Sequence, residues 1–271
     1  MKKTINFLIH SNIYLSIGAL SATYMCFVVL NKNIRWEPLL ISFIGTFFLY
    51  HLNRLTDKKE DEVNYPERLE FIKKHGSSFF KVGIILYALS LSLSLLNGLL
   101  TFSFAFIPFI LVIFYSVFRL KKILFIKNLM VATGWGIISY LVGAYTNIFN
   151  FQTFLLFSFI FTRGFIQSVM FDLKDVTGDG IYKIKTIPKK YSIQSTKNFL
   201  LAINTLFVIF CILLIFYNLM TPAIYLLSFI AFYSYLYILA IGYVKIKILC
   251  EISDGEDILL GLFALLSTLI W

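Results

Sequence analysis

Charge is what this sequence has least of. Of 271 residues only 14% are Asp, Glu, Lys or Arg, against 59% hydrophobic and 18% aromatic. A soluble domain needs a wetted, charged surface, so this balance excludes one and indicates a chain solvated by lipid. Cysteine is also scarce. Cys26, Cys211 and Cys250 are odd in number and far apart, which argues against a disulfide framework or a cysteine metal site and leaves three small buried hydrophobes. Acids are few, 14 against 24 Lys and Arg, for a net charge of +10. These basic residues cluster in the connections between apolar stretches and are not spread along a soluble face, so nucleic acid is not the expected partner.

What is present is apolar sequence in long runs. A bilayer span needs roughly 20 mainly apolar residues. Nine stretches fit, at about 5–30, 37–56, 79–97, 99–118, 128–147, 150–171, 198–218, 221–243 and 256–271. An unpaired backbone group in lipid costs several kcal/mol, so the spans are expected to be helices and the fold all-α, within one transmembrane domain over residues 1–271. Residues 1–25, with Lys2 and Lys3 before an apolar run, are read as a retained first helix and not a cleaved leader. All but three of the Lys and Arg residues then fall on one side; Lys32 and Arg35 lie on the other, and Arg163 lies within a span. The positive-inside rule puts the N-terminus and the basic connections in the cytoplasm and the C-terminus outside a cell membrane. The outer connections, such as Asn97-Gly98, are too short to hold a domain.

Two cytoplasmic connections, about 57–78 and 172–197, begin with acids at the end of an apolar helix, weakly suggesting a duplicated unit. In the first, Asn53, Asp57 and Asp61 recur at i, i+4 and i+8 on one helical face. In the second, Asp172, Asp175 and Asp179 recur at i, i+3 and i+7, before Gly178 and Gly180 loosen or end the helix. Either cluster alone reads as a solvated helix end. Together, at the same face of the membrane, they read as paired oxygen-rich patches. Carboxylates packed this closely repel unless a cation sits between them, and hard oxygen ligands select Mg²⁺ or Ca²⁺. Mg²⁺ takes one or two carboxylates and completes its shell with water and phosphate, so a phosphate ester is the expected ligand. Arg119, Lys121, Lys122 and Lys127 in the intervening loop, with Lys183 and Lys185, are further candidates for contacting it.

These residues carry a resemblance. The motif from Asn53 through Asp57 to Asp61, the motif Asp172, Asp175 and Asp179, the stretch from Tyr115 to Lys127-Asn128, and Lys185-Thr-Ile-Pro188 resemble the UbiA superfamily of intramembrane prenyltransferases, from about helix 2 to helix 7. The resemblance implies about nine transmembrane helices around a central cavity, with a cytoplasmic cap and a lateral opening to lipid. It implies two Mg²⁺ ions and an isoprenyl diphosphate held by Asn53, Asp57, Asp61, Asp175 and Asp179, with Asp172 joining them. Tyr115, Lys121, Lys127, Asn128 and Lys185 would then belong to the diphosphate side. The expected reaction is Mg²⁺-assisted ionisation of the donor and capture of the allylic cation by an unidentified acceptor in the membrane.

Two polar spots within oil stand apart from the motifs. Arg163, nine residues before Asp172, either serves a substrate pocket or snorkels. His10-Ser11-Asn12 and Pro66-Glu67-Arg68 stand where aromatic-acceptor relatives carry a basic residue and an Arg-Pro pair, which argues against a benzoate-type acceptor. Two other functions remain open at this level. A terpene cyclase would act on the donor alone, and a cation transporter would need polar groups at mid-depth, where only Arg163 is charged.

Overall fold

The computed structural model describes the backbone of residues 2–182 and 184–270, and the side chains of residues 6–57, 61–176, 179, 181, 182 and 184–270. Lys183, one of the expected phosphate contacts, lies outside the described residues, as do the side chains of Lys2, Lys3, Lys58 and Lys59. Among the described residues there are helices and no strands. They are α1 (Lys2–His10), α2 (Ile13–Val29), α3 (Trp36–Thr56), α4 (Lys58–Asn64), α5 (Pro66–Leu96), α6 (Leu99–Ser116), α7 (Ile126–Thr146), α8 (Phe151–Ile181), α9 (Ile187–Tyr191), α10 (Ile193–Phe216), α11 (Ala223–Leu227), α12 (Phe229–Leu239), α13 (Ile246–Asp254) and α14 (Glu256–Ile270).

Five of these are long and apolar enough to cross a membrane: α5, α6, α7, α8 up to Val176, and α10. The all-α, multi-pass architecture expected from the sequence is present, but nine uninterrupted spans are not established. The first expected span breaks into α1 and α2 at Asn12, whose backbone is left-handed (φ 58°), a conformation that asparagine tolerates better than most residues. The eighth divides into α11 and α12 at Ser228, and the last is preceded by α13, which ends at Asp254 and is followed by Gly255. Outward-facing apolar side chains such as Leu96, Leu206, Leu236 and Leu269 are exposed, as a lipid-facing surface requires.

The buried interior has two main parts. One joins α2, α7, α8, α10, α11 and α14 around Phe27, Leu156, Phe159 and Phe207; the other joins α8, α10 and α12 around Ile166, Met170, Leu200 and Ile238. Small residues let helices approach closely there. A Cβ on Gly261 would lie 2.6 Å from Ser21 Cβ, so α14 and α2 meet where only glycine fits. Cys26, Cys211 and Cys250 are free and buried, as expected of small hydrophobes.

Arg163 neither lines a substrate pocket nor snorkels. Its guanidinium is 1% exposed and paired with the buried carboxylate of Glu256, and it donates to Tyr237 Oη at 3.0 Å and to Asn204 Oδ1 at 3.5 Å. Ser234 Oγ donates to the same carboxylate at 2.8 Å. A charge this deep persists only when it is paired, and here α10, α12 and α14 each supply one partner to the guanidinium on α8.

Candidate active site

The first acid motif survives a break in its helix. α3 ends at Thr56, and Asp57 stands at the joint with α4 (φ −102°, ψ 19°). Helical hydrogen bonds nevertheless bridge the joint, from Asp57 N to the Asn53 carbonyl at 3.0 Å and from Asp61 N to the Asp57 carbonyl at 2.9 Å. Asn53, Asp57 and Asp61 therefore keep the shared face expected of them. The second motif rides on α8, which continues through Gly178 and Gly180 to Ile181 and is not ended by them.

Both motifs open onto one cavity of about 490 Å³, lined by Asn53, Asp57, Asp61, Asp175 and Asp179 together with Tyr115, Lys121 and Lys127. From Asp57 the lining follows α3 down to Ile41, a run of about 24 Å at helical rise, where Phe104, Ala105, Ile138 and Leu141 make the wall apolar. One end is thus charged and the other greasy.

Each acid is matched with specific partners. Lys121, buried on the turn at 120–122 between α6 and α7, places Nζ 2.5 Å from Asp57 Oδ1 and 5.8 Å from the Tyr115 ring centroid. Asp61 Oδ1 takes Arg68 Nη2 at 2.6 Å and lies 3.7 Å from Arg54 Nη1. Arg68 in turn lies over the Tyr65 ring, 3.5 Å from its centroid. Asn53 Oδ1 accepts from Ser116 Oγ at 2.8 Å. Lys127 Nζ lies 2.7 Å from Asp172 Oδ1 and 3.3 Å from Asp179 Oδ2. Burial pushes the Asp179 carboxyl up to about 6; Lys127 opposes the shift, and the neighbouring Asp172 and Asp175 reinforce it.

Five expected residues stand elsewhere, of which Arg119 and Lys122 are exposed on the loop between α6 and α7 and off the cavity lining. Asp172 is fully buried and does not line the cavity; its oxygens are taken by Lys127 and by Asn128 Nδ2 at 2.9 Å. Asn128, also buried, donates to Ser168 Oγ at 3.0 Å, so it positions Asp172 and does not reach the open space. Lys185 is exposed and away from the cavity lining, because α8 carries past the acids before the chain turns back toward α9. Conversely, the wall includes Arg54, Tyr65, Arg68, Gln167 and Asp254, which were not among the expected site residues. Arg54 and Arg68 look like topology charges in the sequence. Only the turn at Tyr65, which sends α5 back against α4, brings Arg68 to Asp61.

The residues fit a divalent cation. Among the described residues no three His, Cys, Asp or Glu side chains converge on one point, since lysines and arginines hold the acids apart. Mg²⁺ does not need such a cage, because it keeps several waters and takes one or two carboxylates. Oδ1 of Asp175 is buried with no hydrogen-bond partner, an oxygen that a cation would satisfy.

Comparison with known proteins agrees with this geometry. The sequence profile of the UbiA prenyltransferase family matches residues 14–247. The digeranylgeranylglyceryl phosphate synthase of Sulfolobus acidocaldarius is 26% identical over 189 residues, 66% of this chain and 67% of that protein. Among solved structures, a UbiA homologue from Archaeoglobus fulgidus bound to GPP and Mg²⁺ superposes with a TM-score of 0.72 at 15% identity, covering 93% of this chain and 94% of the other. The apo UbiA homologue of Aeropyrum pernix K1 gives 0.75 at 12% identity, covering 94% and 98%.

Proposed function

The chain belongs to the UbiA prenyltransferase family, and from that membership we propose that it transfers an isoprenyl group from a prenyl diphosphate to an acceptor held within the membrane. The observation that carries this reading is the single cavity with both acid motifs at one end and an apolar wall at the other. A donor with a charged head and a hydrocarbon tail matches that polarity.

Asn53, Asp57, Asp61, Asp175 and Asp179 would hold Mg²⁺. Bound there, Mg²⁺ would neutralise charge on the diphosphate as it leaves. Lys121 and Lys127 line the same end and offer ammonium groups to diphosphate oxygens, with Tyr115 beside both. Arg68 and Arg54 hold Asp61 in place and add positive potential on the facing wall. Asp172 and Asn128 are positioning residues that fix Lys127 from behind. The apolar walls orient the chain and exclude water from the allylic cation.

The Sulfolobus relative is named for a product with two geranylgeranyl groups on glyceryl phosphate, so geranylgeranyl diphosphate and geranylgeranylglyceryl phosphate are the substrates to test first. Purified protein given both is expected to release diphosphate and form the diether only with Mg²⁺. No diphosphate release under any condition would overturn the reading. The orientation we propose, N-terminus and acid motifs cytoplasmic, rests on the lysine and arginine asymmetry. Labelling of single cysteines introduced at exposed Lys122 and Lys32 from either side of sealed vesicles tests it.

A further inference from the structure

Deeper than the acid motifs, the cavity wall carries a carboxylate that the diphosphate end does not use. Asp254 is the last residue of α13, where Lys247, Cys250, Glu251 and Asp254 recur at i, i+3, i+4 and i+7 and all line the cavity. This short helix runs antiparallel to α8. Cys250 Sγ donates to the Met170 carbonyl at 3.4 Å, and Gln167 Nε2 to the Ser253 carbonyl at 3.1 Å. Continuing that register puts Asp254 level with Ile166, about 13 Å along α8 from Asp175.

Asp254 is half-buried and makes no hydrogen bond or ion pair among the described residues. The charged groups around it are Asp257 of α14, Glu251 of its own helix, Lys174 of α8 and Arg54 of α3. Tyr14 of α2 and Tyr50 of α3 complete its surroundings, and a Cβ on Gly255 would lie 3.2 Å from the Tyr14 hydroxyl. Burial, reinforced by Asp257, pushes the Asp254 carboxyl well above its ordinary value. In its ionised form, the one able to take a proton, the group only accepts hydrogen bonds, so without an internal partner in a substrate cavity it calls for a ligand that donates.

We propose that Asp254 is the acceptor-side residue of the reaction, receiving a hydrogen bond from the acceptor's nucleophilic hydroxyl and then its proton. The inference rests on the prenyltransferase reading above. In the step, the allylic C–O bond of the donor breaks and its electron pair leaves with the diphosphate. The hydroxyl oxygen forms the new C–O bond, and the hydroxyl proton passes to Asp254, which gives it up to water once the product has left. The acceptor class is therefore an alcohol or phenol whose hydroxyl enters beside α13.

The test uses the full chain with Mg²⁺, geranylgeranyl diphosphate and geranylgeranylglyceryl phosphate as the alcohol. Asp254→Asn is expected to lower kcat for transfer by about 100-fold or more, with Asp254→Glu restoring part of it. The KM for the donor and the slow release of diphosphate in the absence of acceptor should not move. Transfer by Asp254→Asn within about threefold of wild type, or loss of acceptor-free release in parallel, overturns the proposal. So does wild-type protein that releases diphosphate yet prenylates no hydroxyl. Wild-type protein that releases no diphosphate at all instead removes the prenyltransferase reading beneath it.

Discussion

The ammonium of Lys127 on α7 lies 2.7 Å from the fully buried carboxylate of Asp172 on α8, and the same lysine reaches toward Asp179. One cation therefore serves both the packing of two helices and the charged end of the cavity. Lys127→Met leaves Asp172 buried without a counter-charge, which is expected to cost about 3–5 kcal/mol. A lower thermal midpoint in detergent, together with lost turnover, checks this. Adding Asp172→Asn should recover the midpoint and not the turnover.

Asp175 differs from its neighbours, because Oδ1 is buried without a partner and no ion pair among the described residues holds the side chain. Asp175→Asn breaks no internal salt bridge, so the fold should be retained while Mg²⁺-dependent release of diphosphate falls about 100-fold or more. Thermal unfolding and a diphosphate assay on the same sample separate the two effects. A variant that loses stability as well would mean that the residue is structural.

The pH dependence of metal binding should follow Asp179. Its carboxyl, pushed up to about 6 chiefly by burial, must lose its proton before it can bind a cation. Above that pH the group is ionised and open to Mg²⁺. As pH falls through it, protons compete, and the apparent Mg²⁺ affinity should drop by up to about tenfold per pH unit. Mg²⁺ titrations between about pH 5 and about pH 8 on wild type and Asp179→Asn check this, the variant showing weaker binding without the step.

Glycine packing gives a test of the fold that leaves the chemistry aside. Gly261→Ala would push a methyl within 2.6 Å of Ser21 Cβ, forcing α14 off α2. A cost of about 1–3 kcal/mol is expected, read as a lower midpoint in detergent. Gly134→Ala is the control. It lines the cavity and has nothing within 4 Å of the added carbon, so the midpoint should stay put.

Much of the candidate site's geometry was legible in the sequence because local helical geometry decides it. Asn53, Asp57 and Asp61 share a face through four-residue spacing, and that spacing holds even across the joint at Asp57. What the sequence hid depends on how distant helices dock. Nothing local distinguishes Lys127, which faces the acids, from Lys185, which faces out; the difference lies in how far α8 runs before the chain reverses. Asp254 was hidden for a similar reason. It sits on a nine-residue helix too short and too charged to read as a span, and only its antiparallel contact with α8 turns it inward. The helix breaks at Asn12 and Ser228 were masked by apolar flanks, since hydropathy averages over the few residues that interrupt a helix.

Arg163 and Glu256 offer the sharpest separation of structure from catalysis. The pair is buried among α8, α10, α12 and α14, and neither residue lines the cavity. Glu256→Gln takes from the guanidinium its directly paired carboxylate where water cannot reach it, and a loss of about 3–5 kcal/mol is expected. Replacing both residues with methionine removes the desolvation penalty along with the attraction, so the double variant should recover most of that loss. The KM for the prenyl diphosphate should be close to wild type in whichever variant folds, because the ion pair is remote from Asp57 and Asp175. A large rise in donor KM with an unchanged midpoint would mean instead that Arg163 reaches the substrate.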